Sequence, residues 1–159
     1  MKRLFLMITL MAMLLSGCAS RKEPENVLVE LGEEGSTAFF DFEVSEVSAC
    51  RTYKGKQAPA GQRLILVELE LENTTSYDLP MGRYDFRLFW GTDEETAVYP
   101  MEQFCEAQFP DEYAIPEREE AEGVLVFQVP EEQKNLALGY LEIFEDDHQG
   151  DAYIVYFTV

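Results

Sequence analysis

Apolar and polar side chains alternate through much of the chain. Phe40, Phe42 and Val44 alternate with Asp41, Glu43 and Ser45, the period of two expected of a strand with one buried face. A turn-rich stretch, residues 52–62 with Gly55, Pro59 and Gly61, leads into the clearest run. There Ile65, Val67, Leu69 and Leu71 face one way and Glu68, Glu70 and Glu72 the other, until Asn73-Thr74-Thr75 ends the pattern. Phe86, Leu88 and Trp90 alternate with Arg87 and Phe89, a turn follows at Gly91-Thr92-Asp93, and residues 96–99 fit a short partner strand. Residues 123–129 put Leu125, Phe127 and Val129 on one face before Pro130 stops the strand. Residues 136–144 and 152–159 flank a polar, Gly-containing loop, which predicts a hairpin.

Between these strands, residues 101–122 show no period. They contain Pro110 and Pro116 and read as a long acidic loop with one helical turn near residues 101–105. No amphipathic helix of useful length and no strand–helix–strand alternation is visible. About seven strands spaced through residues 38–159 fit an all-β, antiparallel sandwich of two sheets, with a closed barrel as the alternative.

The N-terminus follows a different pattern. Lys2 and Arg3 precede an apolar run over residues 4–15, too short for the ~20 residues a membrane-spanning helix needs. A basic start, a short apolar run and small residues at the exit describe a signal peptide. The segment Leu15-Ser16-Gly17-Cys18 resembles the lipobox of bacterial lipoproteins. The resemblance implies cleavage before Cys18, acylation of its thiol, and a protein attached to the cell membrane on the extracytoplasmic side. Residues 1–17 are then the signal peptide. Residues 18–37, polar apart from Val27-Leu28-Val29, are a lipid-anchored tether in which those three residues form either a short strand or an apolar patch.

Composition narrows the function classes. The chain has 31 Asp and Glu against 12 Lys and Arg, a formal charge of −19, and removal of Lys2 and Arg3 makes the mature chain more acidic still. Such a surface does not suit nucleic acid, which needs clustered cations. A single His and no paired Cys motif argue against a zinc enzyme. Nucleophilic catalysis lacks a base beyond His148, and there is no G-x-S-x-G. In an oxidising compartment Cys50 and Cys105 form either a disulfide or two buried thiols.

Three segments resemble one family: Gly61 through Thr74 as "G-x-x-L-x-V-x-L-x-L-x-N-x-T", Asp85 through Trp90 as the next strand, and Glu122 through Pro130 as "G-x-L-V-F-x-V-P". They are similar to immunoglobulin-like domains of unknown function in secreted bacterial lipoproteins, grouped with a secreted immunoprotective antigen. The resemblance implies an immunoglobulin-like sandwich outside the cytoplasm and no catalytic residues or cofactor.

Two surface clusters are candidates for binding. Asp146, Asp147 and Asp151, with Gln149 beside Gly150, offer oxygen ligands for calcium, as does the run Glu117, Glu119, Glu120 and Glu122; the alternative is solvated acidic loops. Arg51, Lys54, Lys56 and Arg63, with Tyr53 among them, offer a contact patch for anionic polymer or headgroups, or simply balance nearby carboxylates. The expectation is a non-enzymatic envelope lipoprotein that contacts the membrane through its lipid. Its domain binds a protein or glycan through the loops 52–62, 91–95 and 106–122. A structural or accessory subunit of a membrane complex, and a hydrolase using two carboxylates, are the alternatives.

Overall fold

The computed structural model describes residues 23–91 and 96–159. The predicted signal peptide, Cys18, the start of the tether and residues 92–95 lie outside the described residues. Among the described residues twelve strands run in the order β1 Asn26–Val29, β2 Glu34–Ser36, β3 Phe40–Cys50, β4 Thr52–Tyr53, β5 Lys56–Gln57, β6 Gln62–Asn73, β7 Leu79–Gly82, β8 Phe86–Phe89, β9 Glu112–Ile115, β10 Glu120–Pro130, β11 Asn135–Ile143 and β12 Gln149–Thr158. They form two four-stranded sheets, β1-β12-β11-β8 and β10-β6-β3-β2, with two-stranded ribbons β4-β5 and β7-β9. The fold is an all-β sandwich, as the alternation predicts.

The core lies between the two sheets. Phe40, Phe42 and Val44 of β3, Ile65, Val67, Leu69 and Leu71 of β6, and Leu125, Phe127 and Val129 of β10 face Phe86 and Leu88 of β8, Leu136 and Leu138 of β11, and Tyr153, Val155 and Phe157 of β12. Leu79 and Met81 of β7 and Ile115 of β9 pack into the same core. A bulge between Val44 and Glu46 changes the phase of β3. Without it Glu46 would point into the core; with it Glu46 stands opposite Glu68 and Val47 opposite Val67.

Asn73 shows why β6 ends where it does. It is fully buried. Its amide donates to the carbonyls of Tyr77 (2.8 Å), Ile115 (2.9 Å) and Pro116 (3.1 Å), and its Oδ1 accepts from Thr75 N (2.8 Å) and Thr75 Oγ1 (2.7 Å). Asn73 thus joins the β6–β7 loop to the end of β9 and the β9–β10 loop through one side chain. Gly123, the glycine of the second motif, sits where an added Cβ would lie 3.0 Å from the Phe109 ring, so Phe109 can pack directly onto β10.

Val27-Leu28-Val29 take the strand alternative: β1 pairs in parallel with β12 (Asn26 with Ala152, Val29 with Val155), and β2 pairs with β3. The sandwich therefore has one parallel pair. Residues 101–122 are not a free loop and contain no helical turn. Val98 exchanges both backbone hydrogen bonds with Leu88 of β8 (2.7 and 2.8 Å), Met101 N donates to Val126 O (2.7 Å) and Val124 N to Ala107 O (2.9 Å) of the opposite sheet. The segment is a strap that runs from one sheet to the other. Its Met101 and Phe104, with Tyr53 of the β4-β5 hairpin, cover a second small core of Ala58, Leu64 and Val126 on the outer face of the β6 sheet.

Candidate functional site

A cleft of about 400 Å³ opens beside β8, within the ~300–1,000 Å³ typical of small-ligand sites. Its wall is built by Leu79, Pro80 and Met81 of β7, by Tyr84, Asp85 and Arg87 at the entry to β8, and by Tyr140, Leu141 and Ile143 of β11. Phe39, Tyr77, Tyr99, Phe144 and Glu145 complete it. Among the described residues, seven large hydrophobic side chains stay exposed, and four of them, Tyr77, Tyr84, Tyr99 and Ile143, line this cleft. Exposed apolar surface gathered in one concavity is the usual mark of a binding site.

The local sequence explains how the rim is held. The chain reverses between β7 and β8 with Asp85 N donating to Gly82 O (3.1 Å) and Gly82 N donating to Asp85 Oδ2 (2.6 Å). Protein crowding on one side of this otherwise exposed carboxyl pushes its pKa up, and the Gly82 hydrogen bond partly offsets that. Arg83, at the turn, is tied to the strap by Pro100 O (3.3 Å), Glu102 (3.6 Å) and Asp111 (4.0 Å). Its guanidinium lies 4.6 Å from the Tyr84 ring centre, and Tyr84 meets Tyr99 edge to face at 5.2 Å. The tyrosine rim is therefore fixed before any ligand arrives. Arg87 differs: among the described residues its guanidinium has no ion pair and no hydrogen-bond partner, although the chain carries 31 acids.

The predicted site residues are arranged otherwise. Asp146 contacts the His148 ring, Asp151 Oδ1 accepts from Glu25 N at 2.9 Å, and Asp147 adopts a left-handed backbone at φ 59°. These acids serve the β11–β12 turn and the β1 seam. No group of three or more His, Cys, Asp or Glu among the described residues converges as a metal would need. The basic patch is also divided. Arg51 pairs with Glu131 at 3.0 Å, Arg63 donates to Gln133 O, and Lys54 and Lys56 lie 5.9 Å from the Tyr53 and Phe104 rings.

Cys50 and Cys105 are both half-buried and are not bonded to each other in the structure. Both lie close to Tyr53, whose pKa is raised by burial first and then by Cys105, Glu68 and Cys50. Cys105 Sγ donates to Gln108 Oε1 at 3.7 Å. The loops expected to carry contacts, 52–62 and 106–122, are largely spent on covering the small core and on β9 and β10.

A buried carboxylate was not foreseen. Glu142 is 5% exposed. Its Oε1 accepts from Ala38 N (2.7 Å) and Tyr153 OH (3.2 Å), its Oε2 from Asp151 N (2.9 Å), so three donors compensate the burial. The cleft residues were missed as well. The one sequence signal for them is that Tyr77 and Tyr84 are aromatic residues in polar stretches outside the strand alternation.

Solved structures share the fold. A candidate lipoprotein of Bacillus subtilis (ycdA) superimposes with a TM-score of 0.62 at 19% identity, over 79% of this chain and 38% of its own length. The chain thus spans about two fifths of that protein. An uncharacterised β-sandwich protein of Clostridium difficile gives 0.56 at 13% identity, covering 86% and 97%, and the yjhA protein of Bacillus subtilis gives 0.56 at 17%, covering 80% and 98%. At these identities the likeness speaks for fold alone. No curated protein sequence matches the chain. A family model described as a domain of unknown function, DUF4352, matches residues 29–149, from the end of β1 to the start of β12; the chain belongs to the DUF4352 family.

Proposed function

We propose that this chain is a non-enzymatic envelope lipoprotein, acylated at Cys18 and held on the extracytoplasmic side, whose immunoglobulin-like sandwich binds its ligand in the cleft beside β8. The observation that carries the binding role is the rim itself: exposed, braced tyrosines around an unpartnered Arg87. The lipobox at residues 15–18 supports the anchor, and the likeness to a candidate lipoprotein agrees with it. The strand motifs alone support grouping with the secreted-antigen-like domains. The non-enzymatic role rests on the family resemblance of the strand motifs, which carries no catalytic residues.

Two measurements test this. Cells grown with an alkyne fatty acid label the wild-type chain and not Cys18→Ala; equal labelling overturns the anchor. A photo-crosslinker at Ile143 in the full chain yields an adduct in envelope preparations that the Tyr84→Ala/Arg87→Ala variant loses. No adduct, or an unchanged one, overturns the cleft as binding site.

A further inference from the structure

We propose that the cleft takes a neutral oligosaccharide, an inference that rests on the reading of the cleft as the ligand site. A sugar ring offers an apolar face of C–H groups and a rim of hydroxyls that both donate and accept. The cleft offers the complement of each. Tyr84 and Tyr99 are 63% and 48% exposed, and their edge-to-face pair is already braced by Arg83, so stacking a ring on them costs little ordering of side chains. Arg87 brings donors that no group among the described residues uses. Asp85 brings a carboxylate of which one oxygen is held by Gly82 N–H, leaving acceptor capacity. A hydroxyl accepts from the first and donates to the second.

Charge sets the ligand as uncharged. Asp85 and Glu145 outnumber Arg87 in the lining, and the chain as a whole carries −19, so an acidic sugar polymer is repelled on approach. Edge geometry favours a sugar over an extended peptide. A peptide joining a sheet needs free backbone groups, and at Leu88, beside the cleft, both the N–H and the C=O are taken by Val98.

The test is titration of the full chain in detergent, by calorimetry, with tetramers of N-acetylglucosamine, glucose and galacturonate. A neutral tetramer is expected to saturate the chain, with the galacturonate tetramer at least about tenfold weaker. Tyr84→Ala and Arg87→Ala each weaken binding about tenfold, while Glu70→Gln on the opposite sheet leaves it unchanged. Unchanged thermal melting of Arg87→Ala, whose side chain has no partner among the described residues, keeps folding out of the comparison. Failure of both neutral tetramers to bind at about 10 mM overturns the oligosaccharide. If the Ile143 adduct still depends on Tyr84 and Arg87, the cleft stands and its ligand is a peptide; if the adduct is lost too, the cleft reading falls with it. Binding that is indifferent to both variants overturns the site.

Discussion

The outer face of the β10-β6-β3-β2 sheet consists of two surfaces made by the same strands. At one end Leu64, Leu66, Val124 and Val126 lie under the strap and the β4-β5 hairpin. At the other, carboxylates stand opposite one another across the strands: Glu34, Glu43, Glu70 and Glu122 in one row, Asp41, Glu72 and Glu120 in the next. None of these seven has an ion-pair partner among the described residues, and they border a trough of about 500 Å³. Outward positions of β6 read Leu64, Leu66, then Glu68, Glu70, Glu72, so the cover ends where leucine gives way to glutamate. Along β6 the outward positions thus turn from leucine to glutamate where nothing crosses them. Like charges set directly opposite cost stability, and only the bare half bears that cost.

The comparison can be broken most severely from the covered side. Leu64→Ala empties a fully buried position and should cost about 2–5 kcal/mol in urea unfolding. Gln108→Ala comes next. Gln108 is 4% exposed, and its Oε1 accepts from Phe104 N at 3.0 Å. Its removal leaves that buried-side donor without a partner and should cost about 1–3 kcal/mol.

Alkali probes the other sheet. Burial, and then the charge of Glu142, push Tyr153 from its ordinary value of 10.0 up to about 12, and Tyr113 and Tyr140 move in the same direction. A phenol whose pKa is raised by folding favours the folded state fully below pH ~10 and loses that contribution as pH rises through about 12. The urea midpoint should fall between those values, and fall less in Tyr153→Phe.

The bare half sharpens the comparison from the opposite direction. Glu70→Lys, between Glu43 and Glu122, should stabilise by about 0.2–1 kcal/mol, with a smaller gain at 1 M salt, where the Debye length is ~3 Å. The smallest effect belongs to the cleft: Arg87→Ala should change stability by no more than about 0.5 kcal/mol.

How much of this the sequence discloses follows from the same physics. Strands β3, β6, β10 and the β11-β12 hairpin are readable because each buries one face and the period of two survives along its length. The Asn73–Thr75 motif is readable because one buried amide needs that spacing. β1 is legible only as one of two alternatives and β2 escapes, because they are short edge strands whose exposure alternates only between exposed and half-buried or around a single glycine. The strap escapes because it crosses from sheet to sheet, so its inward residues, the half-buried Met101 and Phe104 and the buried Gln108 and Phe109, follow no strand period. The cleft escapes because its wall gathers short segments from far apart in the chain, and Arg87 reads in sequence as just the polar position of a strand.

The parallel pairing of β1 with β12 has a mechanical meaning. A tug on the N-terminus, resisted at the far end of the molecule, acts along β1 rather than across it. The hydrogen bonds between Asn26–Val29 and their partners on β12 then carry load together, in shear, instead of opening in turn like a zip. Forced unfolding is governed by the barrier to leaving the native state, and this seam places that barrier next to the point where the chain is pulled.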